Sequence, residues 1–548
     1  MRFLLFPFQI RNWALTLSVA LALIFVGLSL AAPAYVLWFL IPAGFFAVLA
    51  LVGLRDMAQS RHSILRNYPI LAHLRFFFEK IRPEMRQYFF EDDKDGAPFP
   101  RDKRAVVYQR AKNVLDKRPF GTVYGVYDGG YEWLNHSMSP AELREEAPRV
   151  TIGGPACKQP YSSSVLNISG MSFGAISPNA IMAMNKGARE GGFAQVTGEG
   201  SISPYHRKHG GDIIWQIGSG YFGCRTEEGR FSPERFAEKA ALDQVKMIEI
   251  KLSQGAKPGH GGVLPRRKIT REIAKTREIR RDRDCVSPAR HPECGTPLEM
   301  MAFVGRLREF SGGKPVGLKM CVGHRFEVLA LCKAMVESGI APDFITVDGA
   351  EGGTGAAPLE FADHVGMPLR DGMSYVHNAL IGVGLRDQVR LGASGKVASA
   401  FDMVRVMALG ADYCHAARAF MFAVGCIQAQ SCHTDKCPTG VATTDPIRQA
   451  AVVVRDKAPR VASYHRQTVL ALAELIAAAG LEHPSQLRPW HLRQRISANE
   501  IRTFHELYPT LTPGELLRGT EDPRFKAQWA RAQAESFQAL TPEVLAAE

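Results

Sequence analysis

Between Asn12 and Leu54 the chain carries no charged residue. One membrane span needs about 20 apolar residues. A stretch this long predicts two helices, Trp13 to Ala31 and Tyr35 to Leu54, turning at Pro33. Arg2 and Arg11 precede the pair, and Arg55, Arg61 and Arg66 follow it; the positive-inside rule then places both ends in the cytoplasm. A cleaved leader ending near Ala31-Ala32-Pro33-Ala34 is the competing reading, and the second apolar run that follows at once argues against it. The ten cysteines lack an even, regular spacing, which excludes a disulfide scaffold and favours a reducing compartment. No basic arm and no nucleic-acid motif accompanies the formal charge of +13, so nucleic acid is not the expected partner. Dispersed Lys and Arg suit a membrane surface or an acidic protein. The G-x-G-x-x-G at Gly218–Gly223 follows no expected strand, so no nicotinamide site is read.

What is present is glycine, 50 residues in a chain of 548, many of them between positions 153 and 395. Glycine lets backbone come close to a ligand. Short apolar runs there end in glycine or small polar residues and are followed by helical stretches. The expected strands are Val165–Gly170, Phe193–Thr197, Met247–Lys251, Cys285–Ser287, Pro315–Met320, Phe344–Asp348, Val389–Gly392 and Ala411–His415. Strands alternating with helices predict parallel pairing, and eight such units an α/β fold of the (β/α)8 TIM-barrel kind. Chemistry then belongs at the C-terminal strand ends. The organisation expected is a transmembrane hairpin over 1–55, a lead-in subdomain over 56–150, the barrel over 151–445 and a helical C-terminal cap over 446–548. Within the lead-in, Ser60 to Arg86 alternates apolar and basic residues and is expected to lie along a membrane surface.

Cys426, Cys432 and Cys437 follow one another at C-x5-C-x4-C spacing, and Cys437 precedes a proline. Thiolates gathered in one loop point to a soft metal centre. Three ligands suit a three-iron cluster, or a four-iron cluster with one open corner. A zinc site completed by His433 and three unrelated buried cysteines are the alternatives.

Ile168-Ser-Gly-Met-Ser-Phe-Gly-Ala-Ile-Ser177, Gln216-Ile-Gly-Ser-Gly-Tyr-Phe-Gly223, Ile250-Lys-Leu-Ser-Gln-Gly-Ala-Lys-Pro-Gly259, Glu351-Gly-Gly-Thr-Gly-Ala-Ala-Pro358 and the cysteine loop occur in that order. Together they resemble the FMN-binding synthase domain of glutamate synthase, over roughly residues 150 to 445. The resemblance implies an FMN on the barrel rim beside a [3Fe–4S] cluster on Cys426, Cys432 and Cys437. It implies reductive amination of 2-oxoglutarate, through 2-iminoglutarate, to glutamate. Ser169, Gly170, Met171, Ser172 and Gln216 would meet the isoalloxazine. Lys319, a charge closing an apolar strand, would face the flavin and stabilise its reduced form. Gly353, Thr354 and Gly355 lie in another loop on that face, with tight-turn packing as the plain alternative. Gly395, Lys396, Ala417 and Arg418 follow the last two strands, where barrel phosphate sites usually lie; solvated surface charge is the alternative for the two cations. Lys257, Glu199 and Arg277 fall on the family's active-site positions, with ordinary salt-bridged loops as their plain reading. Lys257 would bind a carboxylate or donate to the developing amine, Glu199 would orient the nitrogen, and Arg277 suits bidentate carboxylate recognition.

This chain departs from the family's usual Gly-Ala-Lys-Pro-Gly-Glu-Gly-Gly-Gln-Leu-Pro, with His260 for that Glu and Val263 for that Gln. Removing a polar contact beside the substrate relaxes or redirects specificity. The rival readings are therefore an FMN-dependent oxidase or dehydrogenase of another small amino or oxo acid, and a non-catalytic electron-relay subunit. Because Met1-Arg2 runs straight into the apolar segment, an amino-terminal cysteine glutaminase domain is not expected. Ammonia would come from solution or another subunit. Electrons would come from an external donor: a ferredoxin, a flavoprotein or a membrane carrier.

Overall fold

The computed structural model describes residues 9–114 and 116–540. The chain divides after Arg101 into two compact units. The first holds helices α1 (Trp13–Ala31), α2 (Val36–Ala58) and α3 (Ala72–Met85). Both α1 and α2 are long and apolar enough to cross a membrane, and most of their large side chains are exposed. They pair side by side, with Phe25 stacked on Phe46 at 6.0 Å between ring centres.

The second unit is organised by a closed parallel barrel of eight strands in sequential order. They are β1 (Leu166–Ile168), β2 (Gln195–Val196), β3 (Ile213–Ile217), β4 (Val245–Lys251), β5 (Val316–Met320), β6 (Phe344–Asp348), β7 (Arg390–Ser394) and β8 (Tyr413–Ala416). β8 closes onto β1 with His415 opposite Asn167. These strands are buried on both faces, as parallel strands under helices must be, and so read as continuous apolar runs.

One expectation is corrected here. Cys285–Val286 is not a barrel strand; it pairs antiparallel with Val263–Leu264 outside the barrel. The missing barrel strand is β3, whose Ile-Ile-Trp-Gln-Ile run feeds directly into the glycine motif that begins at Gln216. The G-x-G-x-x-G at Gly218–Gly223 therefore does follow a strand, but it runs into turns and the next helix begins only at Pro233, unlike a dinucleotide-binding loop. The motif hid the strand, and Pro288 after Ser287 stops Cys285–Val286 from growing longer.

The two barrel ends differ. At the N-terminal end Ile152, Ala194, Val196, Ile214, Met247, Phe344 and Tyr413 form one buried cluster, with Val150 and Tyr161 packed against it. The hairpin Arg149–Ile152 with Tyr161–Ser164 supplies the plug. Glycine makes room for its rings: a Cβ on Gly392 would lie 2.6 Å from the Tyr413 ring. Two residues up the same strands the interior turns polar. Fully buried Glu249 accepts from Gln216 Nε2 at 2.6 Å and from Thr346 Oγ1 at 2.8 Å. Burial keeps His415 neutral, its pKa pushed down to about 3, with the Lys319 charge adding to the effect.

Beyond the barrel, the 25-residue helix Val454–Ala478 packs against Pro178–Gly191. The proline-broken tail that follows also carries two strands, Leu492–Arg495 and Ile501–Thr503, in one sheet with Glu132–Leu134.

Candidate functional site

The C-terminal strand ends open into a cavity of about 470 Å³. Its wall brings together most of the residues singled out in the sequence: Gly170, Met171 and Ser172 after β1, Glu199 after β2, Gln216 on β3, Lys257 and Arg277 after β4, Lys319 on β5, Gly353, Thr354 and Gly355 after β6, and Ala417 and Arg418 after β8. Cys432 and His433 of the cysteine loop line the same cavity. Ser169, Gly395, Lys396, Cys426 and Cys437 are not in its wall. Ser169 stands just behind it, with Oγ 3.4 Å from both Lys319 Nζ and Ser394 Oγ. Gly395 and Lys396 form a turn of two left-handed residues, at φ 151° and 50°.

A charged group sits at one side. Lys251 closes β4 and pairs with Glu199 at 2.9 Å. Burial opposes the Glu199 charge, yet Lys251, with Arg277 and Lys257 nearby, holds its carboxyl below the usual carboxylate range. Burial pulls Lys257 below the ordinary lysine value, partly countered by Glu199. Burial lowers Arg277 too, opposed by Cys285 and Glu199. Its Nη2 donates to Phe173 O at 2.8 Å, and its guanidinium lies 5.4 Å from the centre of the Phe222 ring. Three cations thus face one carboxylate, an excess that suits an anionic ligand. Gly262 lets its loop come close, since a Cβ there would lie 2.5 Å from Glu199 Oε1.

Across the barrel, Lys319 Nζ is 3.7 Å from Asp348 Oδ2, which accepts from Gly255 N at 2.8 Å. That bond ties the loop carrying Lys257 to the end of β6. Arg418 is partly committed: it donates to Thr354 O and contacts Met421 Sδ at 3.3 Å.

Several wall residues were not foreseen: Lys251, Gln254, Lys268 and Ser287. Lys251 carries the signal that found Lys319, a charge ending an apolar strand. Lys268 carries none. It reaches the wall because Nζ donates to Cys432 O at 3.0 Å and sits 3.8 Å from Asp435. The substituted positions, His260 and Val263, are both in the wall.

In the cysteine loop, Gln428, Gln430 and Asp435 all take left-handed φ values, a concentration of backbone strain that marks functional loops. Asp435 accepts from Thr444 N and Oγ1 at 2.8 and 2.9 Å. Burial pushes the Cys426 thiol up to about 11. Burial acts the same way on Cys437, but the Thr439 side chain and the N–H groups of Ala442, Thr439 and Val441 outweigh it and hold the thiol below its ordinary value. Among the described residues no three His, Cys, Asp or Glu side chains are gathered as they would be around a single metal ion. The zinc site with His433 would need sulfurs within about 4 Å of one another, and this grouping is not formed. The three cysteines of the expected iron–sulfur cluster form no such group either.

A family model described as a conserved region in glutamate synthase matches residues 144–482. The glutamate synthase large subunit-like protein YerD of Bacillus subtilis is 37% identical over 501 residues, covering 84% of this chain and 95% of that protein. The archaeal glutamate synthase [NADPH] of Methanocaldococcus jannaschii is 35% identical over 322 residues, 59% of this chain and 60% of its own length. Among solved structures, a mutant flavocytochrome b2 with pyruvate bound aligns over 80% of this chain and 92% of its own at 12% identity and a TM-score of 0.42. The chain belongs to the glutamate synthase family.

Proposed function

We propose that the chain is an FMN- and iron–sulfur-dependent oxidoreductase that reductively aminates 2-oxoglutarate to glutamate, tethered to the cytoplasmic face of a membrane by its apolar hairpin. One observation carries this reading: a single cavity at the strand ends is shared by the Glu199–Lys251–Lys257–Arg277 group, the Lys319 face with its glycine loops, and Cys432.

The residues fit both groups. For FMN, Gln254 Nε2 is buried at the wall without a protein partner. Gly170 and Gly353 keep the floor open, since a Cβ on either would come within 3.1 Å of Gln216 or Arg418. For the cluster, the donors around Cys437 stabilise a thiolate, the form that binds iron. When bound, FMN would supply hydride and the cluster one-electron transfer from an external donor.

The chain's own part is recognition and proton handling. Lys257 and Arg277 would hold the two carboxylates of the oxo acid. Condensation with ammonium releases water and gives 2-iminoglutarate in its protonated, iminium form. Glu199, kept anionic by Lys251, would orient the iminium N–H. Two electrons and one proton, together a hydride, convert it to the neutral amine. Lys257, its ammonium weakened by burial, can then supply the proton that makes the ammonium group of glutamate.

Val263 supports a second reading, an oxidoreductase acting on a different small amino or oxo acid. It presents an apolar side chain, 43% exposed, to the cavity beside His260.

The test is a steady-state assay of the detergent-solubilised protein with reduced ferredoxin, ammonium and 2-oxoglutarate, with flavin and iron counted on the same sample. Glutamate formation that disappears in Lys257→Met, with flavin retained, supports the proposal. Turnover of another oxo acid in preference to 2-oxoglutarate selects the second reading. Full cofactor content without turnover of any acid favours a relay role.

A further inference from the structure

We propose that α3 and the aromatic turn after it form an amphipathic foot that docks on anionic lipid headgroups beside the hairpin. The inference rests on the membrane reading above and adds a lipid requirement to it. Leu74, Phe77, Phe78, Ile81 and Met85 recur at helical three- and four-residue spacing, which puts them on one face of α3. Among the described residues that face is largely bare: Leu74 is 54% exposed, Phe77 54% and Phe78 61%, with Ile81 half-buried, and the next turn adds Tyr88, Phe89 and Phe90, equally bare. On the opposite face Ala72 is buried and Phe76 half-buried, edge-on to His62 at 5.6 Å, while Glu79 and Lys80 are exposed.

The position of α3 on the hairpin is fixed. Asp56, buried at the end of α2, accepts from Ile70 N at 3.0 Å and contacts His73 Nε2 at 2.9 Å. The chain therefore leaves the last apolar turn of α2 and meets the bare stripe within 18 residues, counted from Asp56 to Leu74. The adjoining hairpin points to a lipid occupant, and the charge along α3 agrees with it. From residue 55 to 86 the basic residues are Arg55, Arg61, Arg66, Arg75, Lys80, Arg82 and Arg86, against Asp56, Glu79 and Glu84. Arg86 is held by Glu91 at 3.3 Å, and Glu91, Asp92, Asp93 and Asp95 follow the aromatic turn. Asp56 is engaged by His73 and Glu79 by Arg75 at 3.1 Å. Long basic side chains flanking an aromatic stripe reach up to headgroups while the rings sink below them. Each basic residue held at an anionic surface contributes about fivefold to binding.

The experiment is hydrogen–deuterium exchange of the full chain in nanodiscs of phosphatidylcholine alone or mixed with phosphatidylglycerol. The expected result is slow exchange of residues 13–54 in both discs, and exchange of residues 74–90 slowed about fivefold or more only in the anionic discs, with the difference removed by high salt. The double variant Phe77→Asp, Phe78→Asp should lose that difference and keep the hairpin protection; the wild-type lipid comparison stands even if the variant fails to fold. A protected hairpin with identical exchange of residues 74–90 in both discs overturns the foot and leaves the membrane tether standing. Protection of residues 74–90 that instead rises with protein concentration in detergent assigns the stripe to a second copy of the chain and also overturns it. Fast exchange of the hairpin in every disc overturns the membrane reading itself.

Discussion

Two of the buried charge clusters in the barrel unit differ in what they leave over. Beside the helix Ala400–Ala408, Asp402 lies between Lys103 and Arg405, and Glu132 between Arg370 and Arg405. Asp402 also caps that helix, accepting from Ala398 N, Ser399 N and Ser399 Oγ at about 3 Å. At the rim, Glu199 faces Lys251, Lys257 and Arg277. The first cluster sets three cations, with Arg405 shared, against two carboxylates and spends its hydrogen-bonding capacity within the protein. The second holds more positive charge than its one carboxylate balances, beside an open cavity. Buried charge that is internally satisfied fixes structure; buried charge in excess waits for a ligand of opposite sign.

The two clusters can be pulled apart by mutation. The largest effect is expected from Asp402→Asn. Leaving Lys103 and Arg405 facing a neutral amide should cost about 3–5 kcal/mol of stability, read as a clear fall in Tm, with the flavin content of the folded fraction unchanged. The sign with pH follows from the direction of the shift. Burial raises the Asp402 pKa, but Lys103 and Arg405 more than offset it and hold the carboxyl well below its ordinary range. Its contribution is full above the unfolded aspartate value of about 3.9 and is lost as pH falls through the lower folded value. The acid limb of the Tm profile should therefore flatten in the variant. A variant as stable as the parent would make the first cluster dispensable.

At the rim the effect moves from stability to rate. Lys257→Met should lower kcat/KM about 100-fold, roughly 3 kcal/mol, with Tm unchanged or slightly raised because a buried cation is removed. A variant that loses stability instead would put Lys257 in the first class. Val263→Gln restores a polar group to the wall and should improve 2-oxoglutarate over monocarboxylic oxo acids by about tenfold; an unchanged preference removes Val263 from specificity. The smallest effect is expected for Lys268→Ala. It removes the hydrogen bond to Cys432 O, about 1 kcal/mol, together with the ion pair to Asp435, and should loosen iron retention more than flavin retention.

The two regions were not equally legible. The hairpin was, because uncharged length leaves little else to be, and α1 begins and ends at the residues expected. Most barrel strands were, because most of their apolar runs stop at or near glycine or a small polar residue. β3 was hidden by the motif that follows it. Glu199 and Lys257 could be placed because they sit in glycine-rich loops at strand ends, whereas Arg277 was singled out by the family resemblance alone, since it ends the helix Arg271–Arg277 on the long excursion after β4. Lys268 and Ser287 could not, because they arrive on the long excursion between β4 and the helix Pro297–Phe310, whose path depends on distant contacts such as Lys268 with Cys432. The Asp402 network was invisible for the same reason: Lys103 and Asp402 are 299 residues apart.

The central claim is that one rim cavity serves flavin, oxo acid and cysteine loop together. It is tested most directly by mixing dithionite-reduced protein, free of excess reductant and oxygen, with 2-oxoglutarate and ammonium in a stopped-flow cell. The account predicts that the visible flavin band returns in a single turnover, with glutamate formed in proportion and neither component effective alone. A flavin that stays reduced in the presence of both, or a purified protein that binds no flavin, would contradict it.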